Sequence, residues 1–571
     1  MANRFKISHL LLSAMLYAFF AVFLIWPIWQ VVRTGFTSKS GGFTLQYVGL
    51  IFSDPVLVRG LVNAVAVAVT VTFLTLLLSL PLALISVRFD FPFRGLLSGL
   101  LLAPLVLPPF VGAIGLQLVL GRLGPLTYLL GQAGGTGIDW LGKYRVAGML
   151  IVETLHLYPI TLLNVQAALA NIDPVMQQAA ANLGASRWTI FRRITLPLAR
   201  PGLFAGCTLT MIWSFTELGT PLVFNFNTIT PVQLFERVAD VADNPLPFAL
   251  VVITLAVSAG LYLIGKVLLG RNIAASTSKA MVTAGPRKLS GLRAVAAATP
   301  FVIVILLAIL PHIAVVLTSV TVPGQWYRSF LPRQFTTHHY QAALVDQLAL
   351  PSVLNSIRYA AMATLLAMIM GLAAAVLIVR SNLPGRWLID SLAMLPLAVP
   401  GLVLAFGYLA ISVSLKHQFG ASTPGWLDVQ ENPLVLLVIA YAMRRLPYVV
   451  RSAAAGLEQS PVDLELAAAN LGAGPGRVLA RITIPLVAAS LIAGGLLAFT
   501  FAMLEVSDSL ILAQREEYFP ITKAIVDLAS RLGDGMYIAC ALGVWAMVLL
   551  SLTLLVANAL LGKKMGAAFR I

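Results

Sequence analysis

Long apolar runs dominate this chain and limit the folds open to it. Windows of about 20 apolar residues, the length that crosses a bilayer as a helix, lie near residues 10–32, 61–87, 97–121, 147–169, 202–224, 247–269, 295–320, 353–379, 388–414, 433–454, 487–513 and 536–561. Only 11% of the residues are charged and the mean hydropathy is +0.91, whereas charged residues make up about a quarter of a soluble domain. The sequence therefore predicts an all-α polytopic membrane protein with about 12 transmembrane helices.

The predicted spans form two tandem sets of six that match residue by residue. Arg88 pairs with Arg380 at an offset of 292 (380 − 88), and Glu217 pairs with Glu505 at an offset of 288 (505 − 217). The change of offset corresponds to four fewer residues between the third and fourth spans of the second set. Agreement in register over both halves indicates an internal duplication with two-fold pseudosymmetry.

The duplication divides the chain into three predicted parts. Residues 1–270 form the first six-helix repeat, and residues 295–571 form the second. Residues 271–294 lack apolar periodicity and are rich in Ser, Thr, Ala, Lys and Arg, so they are predicted to be a cytoplasmic linker. Because each repeat has an even number of spans, both repeats should have the same orientation in the membrane.

One segment that is too polar and basic to cross a membrane recurs in both repeats. Residues 178–198 and 466–486 are identical at 12 of 21 positions. They lie within predicted loops at about residues 171–201 and 459–487, which we call the first and second elbows.

Local sequence signals predict the shape of the elbows. Asp173 and Ser460, each followed by proline, are predicted to cap the start of a short helix. Gly184 and Gly472 are predicted to end that helix in a left-handed turn, after which a second short helix begins. Each elbow is therefore predicted to be a helix–Gly–helix segment with an alanine-rich face, suited to docking against another surface.

The distribution of Lys and Arg predicts which side the elbows face. With both termini on the inner side, 24 of the 38 Lys and Arg residues fall in inner segments and 14 in outer segments (38 − 24). The positive-inside rule therefore places both termini and both elbows in the cytoplasm. This topology explains the net charge of +16, and nucleic acid is not an expected partner.

The elbows resemble the cytoplasmic loop of ABC importer permeases, whose pattern E-A-A-x-x-x-G continues to I-x-L-P. In that family the loop forms coupling helices that sit in a groove on the ATP-binding subunit. The resemblance assigns this coupling role to Gln178, Ala179, Ala180, Gly184, Pro197, Leu466, Ala467, Ala468, Gly472 and Pro485. The elbows depart from the pattern at its glutamate, which is replaced by Gln178 and Leu466, with Glu465 one residue early.

The tandem layout is similar to the fused permeases of ferric iron, thiamine and 2-aminoethylphosphonate importers. The resemblance covers essentially the whole chain and implies the type I ABC importer permease fold, in the cell inner membrane. It implies as partners two copies of a cytoplasmic ATP-binding subunit, a periplasmic or extracellular solute-binding protein and membrane lipid. It implies transport by alternating access, with ferric iron, or 2-aminoethylphosphonate or a similar small solute, as substrate.

The sequence contains no nucleotide-binding motif, since none of its Gly-Lys pairs continues into Ser or Thr. We therefore expect a transport subunit and not an enzyme, with no cofactor of its own and with ATP bound by partner subunits. The alternative function is an ion-coupled secondary transporter with twelve transmembrane helices. The paired elbows argue against this alternative, because such a carrier has no evident use for them.

Three acids within the predicted spans, Glu153, Glu217 and Glu505, are candidates to line the passage, because ionisable groups in a membrane are costly and usually functional. Glu217 and Glu505 should face each other across the pseudo-axis and favour a cationic or metal-bearing solute. Alternatively, each accepts hydrogen bonds from a neighbouring helix or lies in water at the outer mouth. His156 is close to Glu153 on one helical face, but its counterpart is Arg444, so no metal site is predicted.

Overall fold

The computed structural model describes residues 2–38, 41–121, 124–132, 145–241, 244–269, 286–326 and 329–561. Most of the predicted linker, together with residues 562–571, lies outside these ranges. Within them the chain is mainly helical, as predicted, and the strands are limited to a parallel pair of two residues each, β1 (Phe89–Asp90) and β2 (Arg287–Lys288).

The described helices follow the predicted order of two repeats. Those of the first repeat are α1 Ala2–Phe20, α2 Trp26–Gly35, α3 Gln46–Ser53, α4 Pro55–Arg88, α5 Arg94–Leu100, α6 Ala103–Val106, α7 Pro109–Leu120, α8 Pro125–Gln132, α9 Arg145–Ala170, α10 Pro174–Asn182, α11 Arg187–Ile190, α12 Leu196–Leu198, α13 Arg200–Phe215, α14 Gly219–Val223, α15 Thr230–Glu236 and α16 Leu246–Leu269. Those of the second repeat are α17 Leu292–Ser319, α18 His338–Val345, α19 Ala349–Arg380, α20 Arg386–Ala398, α21 Gly401–Phe419, α22 Leu434–Gln459, α23 Val462–Asn470, α24 Pro475–Val478, α25 Ile484–Met503, α26 Ser507–Leu512, α27 Ile521–Ser530 and α28 Gly535–Leu561. Short π-helical turns occupy Ala21–Ile25, Phe191–Thr195 and Leu479–Thr483, and 3₁₀ turns occupy Val238–Asp240, Gly420–Ser422, Gly425–Leu427 and Glu516–Tyr518.

Ten helices of the described residues are long and apolar enough to cross a membrane, against about twelve expected from hydropathy windows. The windows 202–224 and 433–454 account for the difference. The first window corresponds to α13, which ends at Phe215 after 16 residues, and the second corresponds to α22, which carries Arg444 and Arg445. Both helices border the central cavity described below, where a helix need not be long or uniformly apolar.

The third span of each repeat is interrupted by proline. Pro108 separates α6 from α7, and Pro400 separates α20 from α21. Proline forces the preceding residue into an extended conformation, which Leu107 and Val399 adopt. Helices α7 and α21 therefore begin inside the protein, and their first turns face the central cavity.

The first helix of each repeat packs against the other repeat. Helices α1 and α2 contact α19, α20 and α21. The Tyr17 hydroxyl donates a hydrogen bond to the Gly385 carbonyl at 3.0 Å, and the Tyr408 hydroxyl donates to the Phe23 carbonyl at 2.6 Å. Helix α17 packs in the same way on α7 of the first repeat. Because of this exchange, the larger of two buried apolar clusters runs through both repeats, and the second cluster joins α4, α9 and α13 of the first repeat to α17 of the second.

Candidate functional site

Both elbows have the helix–Gly–helix shape that the sequence predicts. The Asp173 carboxylate accepts a hydrogen bond from the Val175 amide at 2.9 Å and caps α10. Gly184 and Gly472 follow the first helix of each elbow with φ of +81° and +93°. This left-handed conformation favours glycine, so these two residues determine where the chain turns into the second short helix.

The start of the second elbow differs from the prediction. Ser460 does not cap α23, because its hydroxyl donates to the Gly456 carbonyl in α22 at 2.9 Å. Serine can bond back to the carbonyl four residues earlier, and α22 extends to Gln459, within reach of that bond. Helix α23 therefore begins at Val462 without a side-chain cap.

The elbows present most of their motif positions to solvent. Gln178, Ala179, Gly184, Leu466, Ala467, Gly472 and Pro485 are exposed, while Ala180, Pro197 and Ala468 are half-buried. Next to each glycine, a leucine at the matching position projects outward: Leu183 exposes 88% of its surface and Leu471 exposes 90%. Large exposed apolar side chains beside small residues are typical of a protein docking surface. Coupling to an ATPase through these residues stays a prediction.

Glu465, the displaced glutamate of the second elbow, forms hydrogen bonds and an ion pair with other residues of the same chain. The Glu465 carboxylate accepts hydrogen bonds from Arg380 Nε at 3.2 Å and from the Thr483 hydroxyl at 3.1 Å. Arg380 also donates to the Ser460 carbonyl at 3.0 Å, and the side chains of the ion pair are only 11% and 16% exposed. Glu465 therefore joins the end of α19 to the elbow helix α23 and to the π-helical turn before α25.

The first elbow keeps only part of this connection. Arg88 donates directly to the Thr195 hydroxyl at 3.3 Å, as the counterpart of Arg380 beside Thr483. The position that matches Glu465 holds Gln177 (465 − 288). Sequence reasoning missed the ion pair, although the matched arginines and the early Glu465 could have indicated it.

A cavity of about 100 Å³ lies between the two repeats. Pro109 at the start of α7 and Gly401 at the start of α21 form part of its wall. Glu217 and Glu505 both line it, in agreement with their matching sequence positions. The Glu217 carboxylate accepts a hydrogen bond from the Thr220 amide at 3.3 Å. That solute passes between these two acids stays a prediction.

Glu505 is not a free carboxylate. Arg444 Nη1 and Arg445 Nη2 both donate to it, and Arg444 Nη1 also lies 3.5 Å from the buried Asp508. The two arginines compensate the charges of Glu505 and Asp508. This corrects the expectation that Glu217 and Glu505 together favour a cationic solute, because only Glu217 lines the cavity without such a partner among the described residues.

The positive-inside count includes Arg444 and Arg445, but the structure places both in the wall of the cavity. Without them 22 inner Lys and Arg residues remain (24 − 2) against 14 outer ones, so the predicted orientation is unchanged. Sequence reasoning missed their role because a hydropathy window does not distinguish an arginine within a helix from one at its end.

Glu153 lies behind the wall of the cavity. It is 2% exposed, and its Oε2 accepts a hydrogen bond from the Ser214 hydroxyl at 2.5 Å, which fits the alternative reading of a carboxylate bonded to a neighbouring helix. His156 lines the cavity with its Nδ1 2.8 Å from the Pro104 carbonyl oxygen, at the proline break. Among the described residues, no group of three or more His, Cys, Asp or Glu is arranged to hold a metal ion.

Two further cavities lie on either side of the central one. On the elbow side, a cavity of about 60 Å³ shares five residues with it, namely Leu105, Trp213, Leu397, Tyr448 and Phe501. Away from the elbows, a larger cavity of about 400 Å³ is lined by residues of both repeats, including Gln117, Asn225, Lys523 and Asp527. Burial lowers the pKa of Lys523 to about 8, although Asp527 opposes this shift.

Comparison with known proteins identifies similar chains. The family model described as "Binding-protein-dependent transport system inner membrane component" matches twice, at residues 75–275 and 363–565. The putative ferric transport system permease protein FbpB 1 of Haemophilus influenzae is 27% identical over 516 residues, which cover 88% of this chain and 77% of that protein. The ferric transport system permease protein FbpB of Actinobacillus pleuropneumoniae is 27% identical over 454 residues, or 77% of this chain and 62% of that protein. A solved bacterial ABC transporter involved in the import of the acidic polysaccharide alginate is 18% identical with a TM-score of 0.34, over 48% of this chain and 96% of that chain.

Proposed function

The chain belongs to the family of binding-protein-dependent transport system inner membrane components, so it is a permease subunit of an ABC importer, and we propose that ferric iron is its cargo. The proposal for the cargo is supported by two relatives that are named as ferric transport permeases and that match most of this chain. The fused layout also fits 2-aminoethylphosphonate or a similar small solute, and uptake of radioactive ferric iron against uptake of radiolabelled 2-aminoethylphosphonate by the complete importer in proteoliposomes distinguishes the two.

The structure of the two elbows is the observation that best supports coupling to an ATPase. Each one presents a left-handed glycine and an exposed leucine at positions related by the duplication (471 − 183 = 288). Two equivalent apolar surfaces fit two copies of one ATP-binding subunit, each of which holds one elbow. These partners supply the bound ATP, so this chain has neither a cofactor nor an ATPase site of its own.

The proposed cycle is alternating access in the cell inner membrane, with both termini in the cytoplasm. A periplasmic or extracellular solute-binding protein delivers cargo to the side away from the elbows. Closure of the two ATPases on ATP draws the elbows together and opens the passage outward. Hydrolysis resets the elbows, and the cargo is released through the cavity on the elbow side.

The test is co-purification of the partner ATPase with a permease that carries Gly184→Arg and Gly472→Arg. A β-carbon at either position meets no atom within 4 Å, and a non-glycine residue in a left-handed turn costs about 1–2 kcal/mol. The membrane part should therefore fold while the arginines obstruct the docking surface. We expect the bound ATPase and the ATP-driven uptake to be lost together.

The matched control is Gly49→Arg in α3, which is also exposed and free of neighbours but lies on the side away from the elbows. This variant should retain the ATPase. Full uptake by the purified chain in vesicles without any ATPase would contradict the proposal and favour the ion-coupled secondary transporter.

A further inference from the structure

The cavity of about 400 Å³ on the side away from the elbows, which we call the outer cavity, adjoins one short helix of each repeat. These helices, α14 and α26, begin at matching positions (507 − 219 = 288). Glu217 and Ser507, where the two helices start, line the central cavity, whereas Leu222 and Leu510, farther along them, line the outer cavity. The two helices therefore form a partition between the central and outer cavities.

The two helices of the partition differ at their outer ends. In the first repeat, the Leu222 carbonyl accepts a hydrogen bond from the Asn225 amide at 3.1 Å, so the backbone itself closes α14. In the second repeat, the matching Leu510 carbonyl accepts a hydrogen bond from the Lys523 ammonium at 2.9 Å. A lysine can bond the last carbonyls of a helix, but its long side chain can also turn away. The outer end of α26 is therefore held by a group that is able to leave.

Lys523 has no counterpart in the first repeat. The matching position holds Phe235 (523 − 288), which also lines the outer cavity. Among the described residues that line this cavity, Lys523 is the only Lys or Arg. Because the duplication does not require a charge at this position, the lysine calls for a role specific to the second repeat.

The Lys523 ammonium is able to bind an anionic group that enters the outer cavity. An ammonium has three N–H donors, and among the described residues its hydrogen-bond acceptor is the Leu510 carbonyl. Asp527 lines the same cavity, but its carboxylate lies 3.0 Å from Arg531 Nη2 and so has a partner of its own. Burial lowers the pKa of Lys523 to about 8, and Asp527 opposes this shift, so the ammonium remains charged at pH 7. The Phe519 ring, with its centre 4.7 Å from Nζ, also favours the charged form.

The charge of Lys523 limits what can bind there. Ferric iron, the proposed cargo, is a cation and is repelled by an ammonium. The outer cavity faces the side from which a solute-binding protein delivers cargo, and such a protein can bring an Asp or Glu side chain. A carboxylate attracts an ammonium more strongly than a carbonyl does, because both partners are charged. It can therefore replace the Leu510 carbonyl as the partner of the lysine.

We propose that an acidic side chain of the solute-binding protein enters the outer cavity and binds Lys523, which then leaves the Leu510 carbonyl and loosens the outer end of α26. The preceding residue of α26 stays fixed to α22, since the Ser509 and Tyr441 hydroxyls lie 2.6 Å apart. Docking thus loosens the partition on its outer side. This inference rests on the proposed import function and specifies a contact with its solute-binding partner and the effect of that contact.

The experiment uses the complete permease with its ATPase in proteoliposomes, and measures the affinity of the solute-binding protein with and without ferric iron. Lys523→Met removes the charge and keeps a long side chain. Docking should weaken about tenfold, both with and without iron, because one charged hydrogen bond is lost. ATP hydrolysis in the absence of the solute-binding protein should rise more than about twofold in the same variant, because the bond that holds α26 is also lost.

Two control variants separate this contact from folding and from the general charge of the outer surface. Lys523→Arg keeps a charged donor and should dock within about twofold of the wild type, less than the loss of one charged hydrogen bond. Arg333→Gln removes a charge from an exposed residue of the second repeat that does not line the outer cavity. This variant should dock and hydrolyse ATP like the wild type.

Cross-linking identifies the partner of the lysine directly. A water-soluble carbodiimide joins a carboxylate to an amine that is in contact with it. In the wild-type complex, it should link Lys523 to an Asp or Glu of the solute-binding protein, with or without iron, and mass spectrometry of the linked peptides identifies both residues. The Lys523→Met complex should lack this linked peptide.

The outcomes distinguish this inference from the proposed function. Docking of Lys523→Met within about twofold of the wild type, or the absence of the cross-link from the wild-type complex, would overturn the inference. A loss of docking that occurs only with the loaded solute-binding protein would also overturn it, because the lysine would then bind cargo. Unchanged ATP hydrolysis in Lys523→Met would exclude the release of α26. A wild-type permease that holds neither the ATPase nor the solute-binding protein would instead contradict the importer itself.

Discussion

A single carboxylate makes the two elbows unequal. In the second elbow, Glu465 bridges Arg380 and Thr483 and so links the elbow to the membrane helix α19. In the first, Arg88 bonds to Thr195 without a carboxylate between them, because Gln177 occupies the matching position. Motion of an ATPase on the second elbow should therefore be transmitted to its membrane helix more rigidly than motion on the first.

We predict that Glu465→Gln weakens coupling without releasing the ATPase. The ion pair is largely buried, so its loss should cost about 1–3 kcal/mol, between the values for exposed and fully buried pairs. A change of this size shifts a two-state equilibrium by about fivefold or more. Stimulation of ATP hydrolysis by the loaded solute-binding protein should fall accordingly, as measured on the reconstituted complex.

The chain supplies matched controls for this prediction. Asp463→Asn removes an exposed charge from the same helix α23 and should leave the stimulation unchanged. Gln177→Glu places a carboxylate near Arg88 and should raise the stimulation in the Glu465→Gln background. If Glu465→Gln is stimulated as strongly as the wild type, the bridge has no part in coupling.

At the scale of whole elements, the proline breaks and the fifth spans together build an apolar constriction. Leu105 and Leu397 lie beside the breaks at matching positions (397 − 105 = 292), and Trp213 and Phe501 match on α13 and α25 (501 − 213 = 288). With Tyr448 they separate the central cavity from the one on the elbow side. A constriction of this kind can close a passage by excluding water.

We predict that Trp213→Ala with Phe501→Ala makes the passage leak. Truncation of a fully buried aromatic side chain costs about 3–5 kcal/mol, and these two rings are only half-buried, so the complex should still assemble. Radioactive ferric iron should leave preloaded proteoliposomes of this variant without ATP, faster than it leaves wild-type vesicles. Trp213→Phe, which copies the second repeat, is the control and should remain tight. Equal efflux from the double variant and the wild type would exclude these rings as the barrier.

The membrane class, the duplication and the shape of the elbows could be predicted from the sequence, because each depends on local composition or on a repeated pattern. Gly184 and Gly472 illustrate this, since their left-handed turns follow from residue type and place in the chain. The partners of Glu505 could not be predicted. They come from α22, and no local pattern shows that two arginines of that helix point to the acid of another.

At the scale of the whole molecule, the packing of each repeat's first helix against the other repeat could not be predicted from the sequence either. Hydropathy identifies a span but not the repeat against which that span packs. Two matching glycines accommodate the exchange (407 − 115 = 292). A β-carbon at Gly407 would come within 2.8 Å of the Pro27 carbonyl oxygen, and one at Gly115 would overlap the Pro311 carbonyl. Each repeat thus receives the other repeat's first helix at the same place on its third span.

We therefore predict that Gly407→Val or Gly115→Val destabilises the contact between the repeats. Overpacking of a close contact costs about 1–3 kcal/mol, and here the obstacle is backbone, which cannot turn away as a side chain can. The melting temperature in detergent should fall for both variants. Gly49→Val, at a helical glycine without neighbours, should leave it unchanged. If the first helices instead packed within their own repeats, Pro27 and Pro311 would not face these glycines, and valine at either position would then be tolerated as well as it is at residue 49.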